Sequence, residues 1–112
     1  MKTVADFKRK LKLGVNVHTI YHLAFDGRDE SGVVKYKDED RGVREVSIVQ
    51  SNSFALNTTK TDGTTQDSWC NYPKASQVKF TGENTVTILE PDYRDRANPN
   101  PPLIPVLTYT FV

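Results

Sequence analysis

Glu45-Val46-Ser47-Ile48-Val49-Gln50-Ser51-Asn52-Ser53-Phe54-Ala55-Leu56 is the stretch that decides the fold. It lies in the longest run without Pro or Gly that also alternates like a strand. Val46 and Ile48 fall on one face, and Phe54 and Leu56 resume the pattern after a polar break. Period-2 alternation of β-branched and aromatic residues marks half-buried strands. The break Gln50-Ser51-Asn52-Ser53 is short enough for a tight reversal or a bulge. The rest of the chain must cover this pair of strands.

Upstream, Thr3 to Leu13 carries helical signals. Thr3 is a candidate N-cap with Asp6 three residues on, Val4, Phe7 and Leu11 form one apolar stripe, and Gly14 terminates. A helix this short needs a sheet to pack on. Val15 to Leu23 alternates as a first strand, with Asp26-Gly27 as a turn signal after it. Glu30 to Arg41 is charged, with a weak strand at Val33–Tyr36, and Asp38-Glu39-Asp40 reads as a solvated turn.

Downstream, Asp62-Gly63 signals a turn, Ser68-Trp69-Cys70 a short strand, and Thr81-Gly82-Glu83-Asn84 a hairpin between Gln77–Phe80 and Thr85–Leu89. The single tryptophan, Trp69, is expected to be buried with Val46, Ile48, Phe54 or Leu56. Tyr93 to Pro102 is an aperiodic arm rich in Pro and Asn. Leu103 to Val112 alternates again, and Pro105 restricts its start to an edge position.

The predicted fold class is mainly β (α+β): a small bent antiparallel sheet or SH3-like barrel with one N-terminal helix. Residues 1–90 form one β-rich domain with that helix. Residues 91–112 form a Pro-rich arm and a C-terminal edge strand of the same domain. That last strand either completes its own sheet or joins another subunit's, so the chain is a monomer or a strand-exchanged homodimer. Loop closure over this length costs little, which favours the intramolecular arrangement.

Composition bounds the function. The chain has 112 residues, 37% of them hydrophobic and 26% charged, with net charge +1. That balance gives no global attraction to nucleic acid or membrane. One cysteine, Cys70, excludes an intrachain disulfide. Met1 to Asp6 has no apolar core of a signal peptide and no run is long enough to span a bilayer, so the expected location is cytoplasmic, without membrane contact.

Catalytic chemistry finds little purchase. His18 and His22 would suit a metal on a helix, but on a strand they stand about 13 Å apart at roughly 3.3 Å per residue. Asp38-Glu39-Asp40 lacks the spacing and Gly of a calcium loop. Cys70 has no signature of a nucleophile around it and reads as a small buried hydrophobe. The expectation is no enzyme, no metal and no cofactor.

Two binding classes remain. One is a module that binds another protein, of unknown identity, through a sheet edge. The other is a nucleic-acid-binding small β-barrel that uses Lys8, Arg9, Lys10 and Lys12 on phosphates, with Tyr72 as a stacking face. Near-neutral charge favours the first.

Arg44 to Leu56 and Asp67-Ser68-Trp69-Cys70-Asn71-Tyr72-Pro73-Lys74-Ala75-Ser76, with the helix Phe7-Lys8-Arg9-Lys10-Leu11 ending at Gly14, resemble a group of small uncharacterised proteins from phages and mobile elements of Gram-positive bacteria. The resemblance covers residues 3–90. It implies a bacterial cytoplasm and an accessory gene, and it carries over no catalytic or binding residue.

Overall fold

The structure is a computed structural model and describes residues 1–95 and 97–112. Helix α1 spans Val4–Lys10. Thr3 caps it in an extended conformation: its hydroxyl accepts the Asp6 N–H at 3.2 Å, and the Asp6 carboxylate accepts the N–H groups of Thr3 and Lys2. The Lys2 N–H, then the Arg9 and Thr3 side chains, hold the Asp6 carboxyl down to about 2. The helix stops before Leu13 because the chain is drawn into the sheet. The Gly14 N–H donates to the Val46 carbonyl at 3.0 Å, and the Val46 N–H to the Val15 carbonyl at 2.9 Å. Gly14 holds φ of 85°, open to glycine without strain.

Among the described residues seven strands follow: β1 Asn16–Arg28, β2 Val34–Val49, β3 Ser53–Thr59, β4 Thr65–Asn71, β5 Val78–Phe80, β6 Thr85–Pro91 and β7 Leu103–Phe111. All pair antiparallel in one sheet of order β4-β3-β2-β1-β7-β6-β5. The fold is therefore mainly β with one N-terminal helix. The sheet bends around α1 and does not close, so β4 and β5 remain its edges. Among the described residues no helix is long and apolar enough to cross a membrane.

Strands β1 and β2 are longer than expected. Asp26-Gly27 does not turn the chain; it lies inside β1 at a register shift between Phe25 and Arg28. The reversal comes later, where the Asp29 N–H donates to the Val33 carbonyl. Asp38-Glu39-Asp40 is not a turn either but strand, opposite Ile20 and Tyr21. Three register shifts along this pair bend it, as bulges do. β7 accompanies β1 only as far as Tyr21, and β3 accompanies β2 only from Val46. The far half of the hairpin is thus a two-stranded ribbon, consistent with a longest extent of 46 Å.

The core gathers on the concave face. Phe7 is fully buried, with ring centroids 6.0 Å from Phe54, 6.1 Å from Tyr109 and 6.0 Å from Phe111. Leu11, Val17, Val46, Leu56 and Val86 complete it. The expected Val4/Phe7/Leu11 stripe does dock, with Val4 at its margin. Ile48 departs from expectation. Val46 lies opposite Leu56, but Ile48 lies opposite Ala55. The intervening bulge switches Ile48 to the other face.

The C-terminal strand corrects a larger expectation. β7 is not an edge strand: it lies between β1 and β6. Pro105 is tolerated because it faces only β6, opposite Leu89, whereas pairing with β1 begins at Leu107. The chain completes its own sheet.

One buried group is left over. Thr19 is 3% exposed and, among the described residues, its hydroxyl has no hydrogen-bond partner. An unsatisfied buried hydroxyl costs about 1–3 kcal/mol. Thr19→Val keeps the shape and removes the polar atom, so it should raise stability by about 1 kcal/mol in urea unfolding. A loss of comparable size would show that the hydroxyl is satisfied.

Candidate functional site

An open sheet edge invites another strand unless it is guarded by brevity, charge, Pro or a covering segment. β5 is three residues long and carries Lys79. The ribbon stretch of β2 is lined with charge, from Lys35 and Lys37 through Asp38, Glu39, Asp40 and Arg41. β4 is different. Thr65-Gln66-Asp67-Ser68-Trp69-Cys70-Asn71 holds one charge and no Lys or Pro. That charge is engaged, since the Asp67 carboxylate accepts the Ser47 hydroxyl at 2.7 Å.

The phase of the β3–β4 ladder identifies the outward groups. The Tyr72 N–H donates to the Asn52 carbonyl, and the Lys60 N–H to the Thr64 carbonyl. The register between these ends is unbroken from Ser53↔Asn71 to Thr59↔Thr65. Antiparallel pairs alternate between bonded and non-bonded. Gln66, Ser68 and Cys70 therefore turn their N–H and C=O groups toward β3. Those of Thr65, Asp67, Trp69 and Asn71 turn outward, where no strand of the sheet meets them.

A cleft of about 250 Å³ opens beside this edge. Trp69, Cys70 and Asn71 form one wall; Pro73, and Ile88 and Glu90 of β6, lie around it; half-buried Leu107 and the buried core residues Phe7, Phe54 and Tyr109 complete the lining. The Tyr109 hydroxyl donates to Cys70 Sγ at 3.6 Å. Burial pushes the Cys70 thiol up, against smaller opposing effects of Tyr109 and Arg44. Burial also pushes the Tyr109 phenol strongly upward, helped by Cys70. Both groups stay protonated at neutral pH and turn on each other, which leaves Asn71 and Glu90 as the other polar residues of a mostly apolar lining.

Trp69 is not buried as expected. It is 54% exposed, because Cys70 takes the core side of β4 and successive residues alternate. The residues selected for nucleic acid are partly brought together. Lys8 Nζ lies 4.6 Å from the Tyr72 ring centroid, and Tyr72 packs on Phe54. Arg9 pairs with Asp6, Lys10 donates to the Asn84 side chain at 2.8 Å, and Lys12 is exposed.

The histidines lie on β1 and each meets a carboxylate of β2: His18 Nε2 lies 2.7 Å from Asp40 and His22 Nδ1 2.8 Å from Asp38. The Gly42 N–H, then His18, lowers the Asp40 carboxyl. His22 Nε2 continues to Thr108 Oγ1 at 2.6 Å, which meets Thr87 Oγ1 at 3.1 Å. Carboxylate, imidazole and hydroxyl stand in the order of a hydrolytic triad. Thr108, however, is paired on both sides, with Ile20 and Thr87, so the surrounding backbone donors are held in ladders rather than aimed at an oxyanion. The arrangement ties four strands together.

Sequence reasoning missed the cleft. Cys70 and Tyr109 are 39 residues apart, and only the sheet order brings them into contact. The available signal was the absence of Lys and Pro along Thr65–Asn71. No family model matches the chain, and no curated protein or solved structure matches it.

Proposed function

We propose that this chain is a non-enzymatic interaction module that captures an extended segment of another protein along the outer edge of β4. Its role would be that of an accessory protein of a phage or mobile element in a bacterial cytoplasm, in keeping with the resemblance over residues 3–90. The observation that carries strand capture is the unguarded edge: four residues with outward backbone groups, one engaged charge, and an apolar cleft alongside. Strand addition draws affinity from main-chain hydrogen bonds and specificity from side-chain pockets.

The test separates backbone from side chain. Peptides that bind the chain are first selected from a displayed random library. Trp69→Pro removes one outward N–H without touching the β3 ladder, a substitution that edge strands tolerate. Trp69→Ala removes the ring and keeps the N–H. Strand capture predicts that Trp69→Pro weakens binding up to about tenfold relative to Trp69→Ala, the loss of one hydrogen bond. Equal binding by the two variants, both with parental circular dichroism, would refute it.

The second reading is nucleic-acid binding through α1, favoured by Lys8 and Tyr72 standing together. Phosphate-driven binding falls steeply with salt. A gel shift with a single-stranded oligonucleotide at low and moderate salt, repeated with Lys8, Arg9, Lys10 and Lys12 changed to Gln, tests it. Lys8 already covers the Tyr72 ring, which makes this the weaker reading.

A further inference from the structure

We propose that the cleft beside β4 is a socket for one large, uncharged apolar side chain of the captured segment. This rests on the strand-capture reading and names the chemistry of the partner. The cleft measures about 250 Å³, below the roughly 300–1,000 Å³ of a site for a drug-sized ligand. That suits one side chain rather than a whole metabolite.

Its place relative to the edge fits the same occupant. Side chains directly opposite one another in paired strands share a face. A segment bonded to the outer edge of β4 would place the residue opposite Cys70 on the Cys70 face, which is the cleft side. Half-buried Ile88 and Leu107 offer that side chain an apolar surface, backed by Phe7 and Phe54 of the core.

The cost of desolvating an ion argues for a neutral occupant. Among the described residues Glu90 is the one ionisable carboxylate in the lining, and it opposes an anion. The Tyr109 hydroxyl already donates to Cys70 Sγ, so it is not waiting for an acceptor. A charged group entering the apolar part of the cleft would lose its water, which is costly, and an anion would also meet the Glu90 carboxylate.

The experiment uses small probes on the intact, isotopically labelled chain and is read by amide chemical shifts. Indole is the neutral apolar probe; phenylpropionate and phenethylammonium carry a similar ring with opposite charges. Indole should shift the amides of Cys70, Ile88 and Leu107 and saturate in the millimolar range. Each charged probe should bind about tenfold or more weakly, the cost of bringing an ion into an apolar site. Unmoved cleft amides at saturating indole, or charged probes that bind as well as indole, would overturn the socket. Thr65→Pro, which removes an outward N–H on β4 away from the cleft lining, should leave indole binding intact. Intact indole binding together with equal peptide capture by Trp69→Pro and Trp69→Ala would keep the socket and refute strand capture.

Discussion

Deleting Leu103–Val112 should abolish folding. β7 is bonded to β1 from Leu107 to Phe111 and to β6 from Leu103 to Thr110. Its removal separates β5 and β6 from the other four strands. It also removes Val106 and Tyr109 from the core, and with them Phe111 beside Phe7. The loss should exceed the whole stability of a domain this size, about 5–15 kcal/mol. Circular dichroism and urea titration of the truncated chain should show no cooperative transition. A truncated chain that stays soluble and as stable as its parent would contradict the central position of β7.

Phe7→Ala should be the most damaging single change in the helix. The ring meets Phe54 edge-on and lies nearly parallel to Tyr109, so it joins β3 to β7 across the concave side. Truncating a fully buried aromatic typically costs about 3–5 kcal/mol. The helix has little stability of its own, since seven residues are too few to hold in water. Its N-terminal cap cannot compensate, because a cap contributes only about 1 kcal/mol. Urea unfolding of Phe7→Ala should show a shifted midpoint with an unchanged slope. A cost below about 1 kcal/mol would mean that the ring is not central to the core.

Features fixed by neighbours in sequence were legible. Thr3 and Asp6 form the helix cap across three residues. Gln50–Ser53, Lys60–Thr64 and Thr81–Thr85 each reverse the chain where turn residues cluster. Features fixed by a distant partner were not. Asp-Gly serves both a hairpin turn and a bulge, and only the register against Tyr36 and Val34 shows that Asp26-Gly27 is a bulge. Asp38-Glu39-Asp40 is tolerated in a strand because His22 and His18 stand across from Asp38 and Asp40. Ile48 and Trp69 were both expected in the core. A bulge turns one away, and alternation about Cys70 turns out the other. Pro105 was a true edge signal read too broadly, since the strand is an edge at that residue and central a few residues on.

The candidate site was legible to a smaller degree. Lys8 and Tyr72 were selected from sequence and do meet, but their contact uses the ring face that stacking would need. The cleft depends on contacts between β4 and β6–β7, which nothing local in either segment announces. The composition of Thr65–Asn71 carries information only once that segment is known to be an edge.

Amide hydrogen exchange in β4, resolved residue by residue, tests the open edge most directly. In the free protein Gln66, Ser68 and Cys70 should be protected by their bonds to β3. Thr65, Asp67, Trp69 and Asn71, whose N–H groups face outward, should exchange far faster. Uniform protection along the strand would show that another strand already covers this edge, and would contradict an edge left open for a partner.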